Sequence, residues 1–305
     1  TLSLDDTFPV SKKAWEKGGS KMFVKVDTRV RVEDLLRGII IQSGNDACIV
    51  VAEGLAGSEV AFAAEMNTRA RELGLQDSHF VNATGWPDEG HLMSARDLAR
   101  LAQILVTEFP KFYPMFSELS FTYHVITQPN RNPVLSKDIG ADGLKTGHTE
   151  TSGYGLVASA KRGDRRLVLV MNGLESTSQR GREAERLLEW GFRSFEGVTL
   201  FKAQDRVDEA GVWLGERASV PLVLADRLAV TLPTQSRSQI QVIIRYDAPI
   251  PAPIRKGDRL GVLQVTAPGF ETVERPLIAG ADVGALGPVG RVLAVTQHWL
   301  ASLLP

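Results

Sequence analysis

The feature that most limits the fold is a change of hydrophobic periodicity near residue 196. Before it, apolar residues recur at helical spacing in five segments: 32–42, 45–56, 58–75, 94–109 and 178–195. Two runs rich in β-forming residues precede the last helix and are joined by a short polar turn, which predicts a hairpin over 154–172. Beyond residue 196, short alternating runs are separated by proline and glycine as far as about residue 283. This pattern predicts an α/β (α+β) domain followed by a small all-β domain.

We therefore expect helices and an antiparallel sheet over residues 1–196, a β-rich domain over 197–283, and a tail over 284–305. A chain of 305 residues is long enough for two domains. The composition, 43% hydrophobic and 23% charged with a formal net charge of −1, is that of an ordinary soluble globular protein. Because no basic run is present, we expect no nucleic-acid partner.

The tail is apolar and helical in pattern, but Gly287, Pro288 and Gly290 interrupt it. A regular helix could extend only from about residue 289 to 304, which is about 24 Å and shorter than the ~30 Å hydrocarbon core of a membrane. We therefore expect no transmembrane span, but an amphipathic helix that either lies in a membrane interface or packs on its own β domain. The apolar side of this helix carries Val292, Trp299, Leu300 and Leu303.

Cysteine and histidine content argues against a metal site. The chain has one cysteine, Cys48, so neither an intramolecular disulfide nor a Cys/His metal cluster can form. The five histidines show none of the spacings of a zinc site. We expect neither a metal nor a cofactor. The chain begins at Thr1 without a charged and then apolar leader, so we expect that a leader has been removed or that this is part of a longer protein.

Two short motifs could carry chemistry. Lys145-Thr146-Gly147 lies on the first strand of the predicted hairpin or just before it, and Ser43-Gly44-Asn45 lies in the break between two predicted helices. Each has an ordinary structural interpretation: an exposed lysine before a turn glycine, and a glycine that ends one helix before an asparagine caps the next. Neither motif decides the function by itself.

Together the two motifs resemble those of the serine penicillin-recognising enzymes, which comprise the penicillin-binding proteins and the serine β-lactamases. Four longer stretches narrow the resemblance to the low-molecular-mass D-alanyl-D-alanine carboxypeptidases (peptidase S11): 18–47, 79–102, 143–160 and 181–195. The β domain and apolar tail also match this family, and β-lactamases lack both. The resemblance implies a β-lactamase/transpeptidase-like fold for the first domain. It departs at one point, since no serine in the chain has a lysine three residues later. The resemblance places that Ser-x-x-Lys motif, with its nucleophile and base, upstream of Thr1.

The resemblance implies catalytic roles for three residues in an acyl transfer. Ser43 would relay a proton between the base lysine and the leaving nitrogen, since a hydroxyl both donates and accepts. Asn45 would orient an amide of the substrate. Lys145 would supply positive charge, which a low-dielectric site strengthens.

Four further residues are implied to bind substrate. Thr146 would hydrogen-bond the terminal carboxylate, Gly147 would let the substrate lie close to the strand, and the His148 N–H would form half of an oxyanion hole. Arg182 would face the carboxylate with its planar fork of donors, and Arg131 is a weaker candidate for the same role.

The implied function is that of a serine-type carboxypeptidase, a hydrolase that trims peptidoglycan stem peptides and is a target of β-lactam antibiotics. Such an enzyme would act in the periplasm, attached peripherally to the inner-membrane surface by its tail, and would affect the cell wall and cell shape. One alternative is a non-catalytic cell-wall binding or scaffolding homologue. A β-lactamase is a third reading, which the β domain and the lack of an evident deacylating glutamate motif disfavour.

Overall fold

The structure, a computed structural model, describes residues 2–302, with side chains described as far as residue 296. The chain divides into two compact units, Thr1–Gly191 and Phe192–Pro305. The division falls five residues before the end of the first domain expected from the sequence. Mixed helices and antiparallel sheets followed by an all-β domain are the fold class that the sequence predicts, and this prediction is confirmed.

Serine caps fix the starts of three helices in the first unit. Ser11, Ser58 and Ser94 each accept the backbone N–H three residues on, at 3.0, 3.1 and 3.1 Å. Gly74, with φ of +72°, follows one of these helices and ends it. The helices are α1 (Lys12–Glu16), α2 (Val32–Ile40), α3 (Asn45–Ala56), α4 (Glu59–Glu72), α5 (Ala95–Glu108) and α6 (Thr177–Ser194), the last of which reaches the second unit.

The strands of the first unit form three small antiparallel sheets. Two are pairs, β1 (Thr7–Pro9) with β2 (Arg29–Arg31) and β3 (Ser120–Tyr123) with β4 (Ile126–Pro129). The third has the order β5-β6-β7, with β5 (Ala141–Thr149), β6 (Gly153–Arg162) and β7 (Arg165–Leu174). The predicted hairpin is β6 and β7, and Lys145-Thr146-Gly147 lies on β5, the strand just before it. One core of this unit joins α2 and α3 through fully buried Leu35 and Ile49.

The second unit is β-rich, as its alternating sequence predicts. Six strands form a sheet in the order β12-β14-β15-β10-β9-β13, and β8 pairs with β11. Fully buried Leu222, Leu263 and Leu277 lie in its core. The strands are β8 (Phe195–Phe201), β9 (Arg206–Trp213), β10 (Ser219–Leu224), β11 (Leu228–Pro233), β12 (Gln241–Tyr246), β13 (Ile250–Pro251), β14 (Arg259–Ala267) and β15 (Phe270–Ala279).

The tail forms one helix, α7 (Pro288–Ser302), with its proline in the first turn, where a missing N–H costs nothing. Its described large apolar side chains are exposed, namely Val289, Val292, Leu293 and Val295. The side chains of Trp299, Leu300 and Leu303, on which the predicted apolar face also depends, lie outside the described residues. No single described helix is long and apolar enough to cross a membrane, and α3 with α4 would qualify only as a pair bent by 81°.

Candidate active site

The two motifs recognised in the sequence meet in the first unit. Lys145 on β5 donates from Nζ to the Ser43 hydroxyl, 102 residues away in the chain, and to the Thr146 carbonyl at 3.1 Å. Ser43 has a φ of +56°, a left-handed conformation that is uncommon for serine and turns the chain sharply between α2 and α3. The loop thereby presents a hydroxyl to the lysine instead of continuing a helix.

Asn45 is the first residue of α3, and Gly44 occupies the N-cap position, so the interpretation of Asn45 as the cap was wrong. The Asn45 amide instead donates from Nδ2 to the Gly18 carbonyl at 3.0 Å, and its backbone N–H donates to the Ser20 carbonyl at 2.8 Å. The amide does not cap its own helix because it is bonded to the Gly18 carbonyl, on a segment more than twenty residues earlier in the chain.

A buried carboxylate that sequence reasoning missed holds this segment in place. Asp46 is only 1% exposed and accepts backbone N–H groups from Met22, Phe23 and Val24 at 2.9, 2.9 and 3.2 Å. A Cβ on Gly44 would lie 2.9 Å from Asp46 Oδ1 and 3.0 Å from the Met22 nitrogen, so this close approach requires glycine. Three hydrogen bonds to a charged acceptor therefore tie the Ser-x-Asn motif to the segment beside it.

The strand that carries the second motif has an open edge. Within residues 2–302 the sheet order is β5-β6-β7, so only one side of β5 is paired there, with Lys145 opposite Val157 and Gly147 opposite Gly155. A Cβ on Gly147 would meet nothing within 4 Å, so the space beside the strand is open there. An extended peptide can lie along such an edge and hydrogen-bond to the backbone. His148 packs its ring on Tyr154, with the centroids 4.0 Å apart.

An open cavity of about 900 Å³ lies between the two motifs. Six of the seven site residues predicted from the sequence line it: Ser43, Asn45, Lys145, Thr146, Gly147 and His148. Arg131, the weaker candidate, also lines the cavity and donates from Nη1 to the Ser20 hydroxyl. Among the described lining residues the only acidic side chain is that of Glu150.

The structure does not bring Arg182 into this cavity. Arg182 is exposed on α6 and donates to the Ser178 hydroxyl one turn earlier. The arginine of α6 that lines the cavity is Arg180, two residues before it. A step of two residues along an α-helix turns the side-chain direction by about 200° around the axis, so the two arginines point to opposite sides. The sequence did contain the signal, because Arg180 shares a face with Ala184 and Leu188 at spacings of four, and all three are buried.

Arg180 is 6% exposed and incompletely bonded. Nη1 donates to the carbonyls of Gly147 and Gly155 at 3.3 and 3.4 Å, while Nε is buried without a partner. Burial, together with repulsion from Arg131, lowers the pKa of Arg180. A buried guanidinium with an unused donor indicates a site for an anion.

Lys145 shares this cationic environment. Burial, with repulsion from Arg131 and Arg180, lowers its pKa to about 8. The ammonium is therefore mostly protonated at neutral pH but titrates near it, as suits a group that both carries charge and handles protons. Cys48 also lines the cavity, but burial raises the pKa of its thiol to about 12, so it is not a thiolate nucleophile at neutral pH.

Comparisons with known proteins agree over almost the whole chain. Residues 1–175 match the family described as D-alanyl-D-alanine carboxypeptidase (peptidase S11), and residues 195–285 match the C-terminal domain of penicillin-binding protein 5. The D-alanyl-D-alanine carboxypeptidase DacC of Escherichia coli is 39% identical over 95% of this chain and 75% of its own length. DacF of Bacillus subtilis is 32% identical over 98% of this chain and 78% of its own. The crystal structure of penicillin binding protein 5 from Haemophilus influenzae superposes with a TM-score of 0.84 at 34% identity, covering 92% of this chain and 83% of that one.

Proposed function

This chain belongs to the D-alanyl-D-alanine carboxypeptidase family, and we propose that its cavity binds the D-alanyl-D-alanine end of a peptidoglycan stem peptide for removal of the last D-alanine. The observation that carries the proposal is the cationic wall formed by Arg180, Arg131 and Lys145 beside an open strand edge. A carboxypeptidase differs from an endopeptidase in recognising a free terminal carboxylate. An arginine with an unused buried donor fits that group.

The substrate lies extended along β5, with its backbone on the open edge at Gly147 and its carboxylate between Arg180 and the Thr146 hydroxyl. The scissile carbonyl then lies near the His148 N–H, which contributes to an oxyanion hole. Asn45, at the other side of Ser43, orients the amide of the acyl part. This placement uses five of the six predicted residues in the cavity, leaves Lys145 bonded to Ser43, and replaces Arg182 with Arg180.

The reaction is an acyl transfer. A serine oxygen bonds to the carbonyl carbon, the C–N bond to the terminal D-alanine breaks, and water later hydrolyses the resulting ester. The proton lost by the attacking serine has to reach the leaving nitrogen. Ser43 passes it on, because its oxygen accepts from Lys145 while its own O–H remains free to donate. A Ser-x-x-Lys motif, which would supply the attacking serine and its base lysine, does not occur in these 305 residues.

Binding of two peptides to the 305-residue chain tests the proposal. The probes are acetyl-alanyl-D-alanyl-D-alanine and the same peptide with its terminus amidated, titrated by NMR. We expect the free carboxylate to bind at least tenfold more tightly, because a hydrogen bond to a charged group contributes about 1.5–3 kcal/mol. Equal affinities would contradict carboxylate recognition. Binding of neither peptide would contradict it as well. The same cations would hold the carboxylate of a β-lactam.

We also propose that α7 attaches the protein to the periplasmic surface of the inner membrane, where stem-peptide trimming would affect cell shape. Its exposed apolar residues, Val289, Val292, Leu293 and Val295, support interfacial binding. Arg291 is the only fixed charge among its described side chains, so binding should depend on apolar burial and be weak. Co-sedimentation with liposomes should retain the full chain more than a chain ending at Gly284, and equal partitioning would exclude the anchor.

A further inference from the structure

One side of the cavity carries a tryptophan ring, that of Trp86, to which the proposed reaction assigns no role. Trp86 lines it and is 43% exposed, on a loop that follows Val81. The loop is built around one side chain, since Asn82 Oδ1 accepts the N–H groups of Thr84, Gly85 and Trp86 at 3.1, 2.8 and 3.1 Å. Asn82 Nδ2 also donates to the Trp86 carbonyl at 2.9 Å. Both backbone groups of Trp86 are therefore fixed by the same residue.

The indole ring is held from two more directions. The Lys17 ammonium lies over it, 4.4 Å from the ring centroid, within the range of a cation–π interaction. Gly19 lies against its edge, because a Cβ there would be 2.9 Å from the ring and 2.8 Å from the Asn45 amide. Trp86 and Asn45 are thus neighbours across Gly19. A large apolar surface that is exposed yet held this firmly beside a cavity is typical of a recognition surface.

We propose that Trp86 is a specificity-determining residue that contacts the aliphatic side chain of the residue preceding the two D-alanines. The inference rests on the proposed function, which places the carboxylate at Arg180 and the acyl part of the peptide at Asn45. The residue next along the peptide then lies on the Asn45 side, where the ring is. A long aliphatic side chain there covers the exposed indole, whereas a methyl group is too short to do so.

The test compares acetyl-norleucyl-D-alanyl-D-alanine with acetyl-alanyl-D-alanyl-D-alanine in NMR titrations of the 305-residue chain. We expect the norleucyl peptide to bind about five- to tenfold more tightly, from three extra methylenes that are half covered by the ring. Trp86→Ala should abolish that preference and change the affinity for the alanyl peptide less than about twofold. Trp86→Phe should keep most of the preference, because it retains an aromatic face.

The matched control is Trp190→Ala, which removes an equally exposed tryptophan that does not line the cavity, and which should leave both affinities unchanged. A norleucyl preference that survives Trp86→Ala overturns the inference, as does an equal loss for both peptides. If the wild-type chain binds the free-carboxylate and amidated peptides equally, the proposed function fails and this inference with it. If carboxylate recognition holds but no norleucyl preference exists, the inference alone is wrong.

Discussion

Arg180 and Arg182 form a natural pair for testing which side chain holds the substrate carboxylate. Arg180→Ala removes the buried guanidinium in the cavity, and Arg182→Ala removes the exposed one on the opposite side of the same helix. Each variant lowers the net charge by one, so a difference between their peptide affinities reflects where the lost arginine lies. Loss of Arg180 also removes a cation from the neighbourhood of Lys145, whose pKa it lowers.

The expected magnitude follows from the contacts. A hydrogen bond to a charged group contributes about 1.5–3 kcal/mol, and Arg180, which lines the cavity, has a buried donor without a partner. Arg180→Ala should therefore weaken binding of acetyl-alanyl-D-alanyl-D-alanine by about 10- to 100-fold. Binding of the amidated peptide should change less than about threefold, because it offers no charge. Arg182→Ala should leave both affinities within about twofold, as is usual for an exposed charge.

Two measurements check this reasoning. The first is the NMR titration of both peptides with wild type, Arg180→Ala and Arg182→Ala. The second is the titration of the Lys145 ammonium, whose pKa should rise in Arg180→Ala because a nearby positive charge is removed. An equal loss for both peptides would mean that Arg180 supports structure. A loss in Arg182→Ala that matches the loss in Arg180→Ala would refute the assignment to the cavity arginine.

Three other outcomes are expected. Intact-mass analysis of the 305-residue chain after penicillin treatment should show no covalent adduct, and a stoichiometric adduct would locate a nucleophile among the serines present. Binding of the free-carboxylate peptide should weaken as the pH rises through about 8, because Lys145 loses its proton there. Binding of the amidated peptide should show little pH dependence. Identical pH profiles for the two peptides would exclude Lys145 from carboxylate binding. Asp46→Ala should lower the free energy of unfolding by about 3–5 kcal/mol, because three backbone N–H groups lose a buried charged acceptor. Urea denaturation measures this, and a loss below about 1 kcal/mol would show that water replaces the carboxylate.

Local features of the sequence determined much of this protein. Ser58 and Ser94 mark helix starts because a cap needs only the N–H groups of the next turn. The change from helical to alternating periodicity separates two units because each period matches one kind of buried face. The Ser-x-Asn and Lys-Thr-Gly motifs were recognisable because each is contiguous.

Only the tertiary structure decided how these pieces combine. The partner of Lys145 is 102 residues away, and the Asp46 carboxylate binds N–H groups more than twenty residues before it, so no local pattern contains either contact. Strand β5 offers its edge because no other strand in the described part of the chain pairs beyond it, which is a property of the sheet and not of the strand. Arg180 enters the cavity and Arg182 does not because the helix packs through its 180–184–188 face. The sequence determines which chemical groups are available, but the direction in which a side chain points depends on what packs against its neighbours.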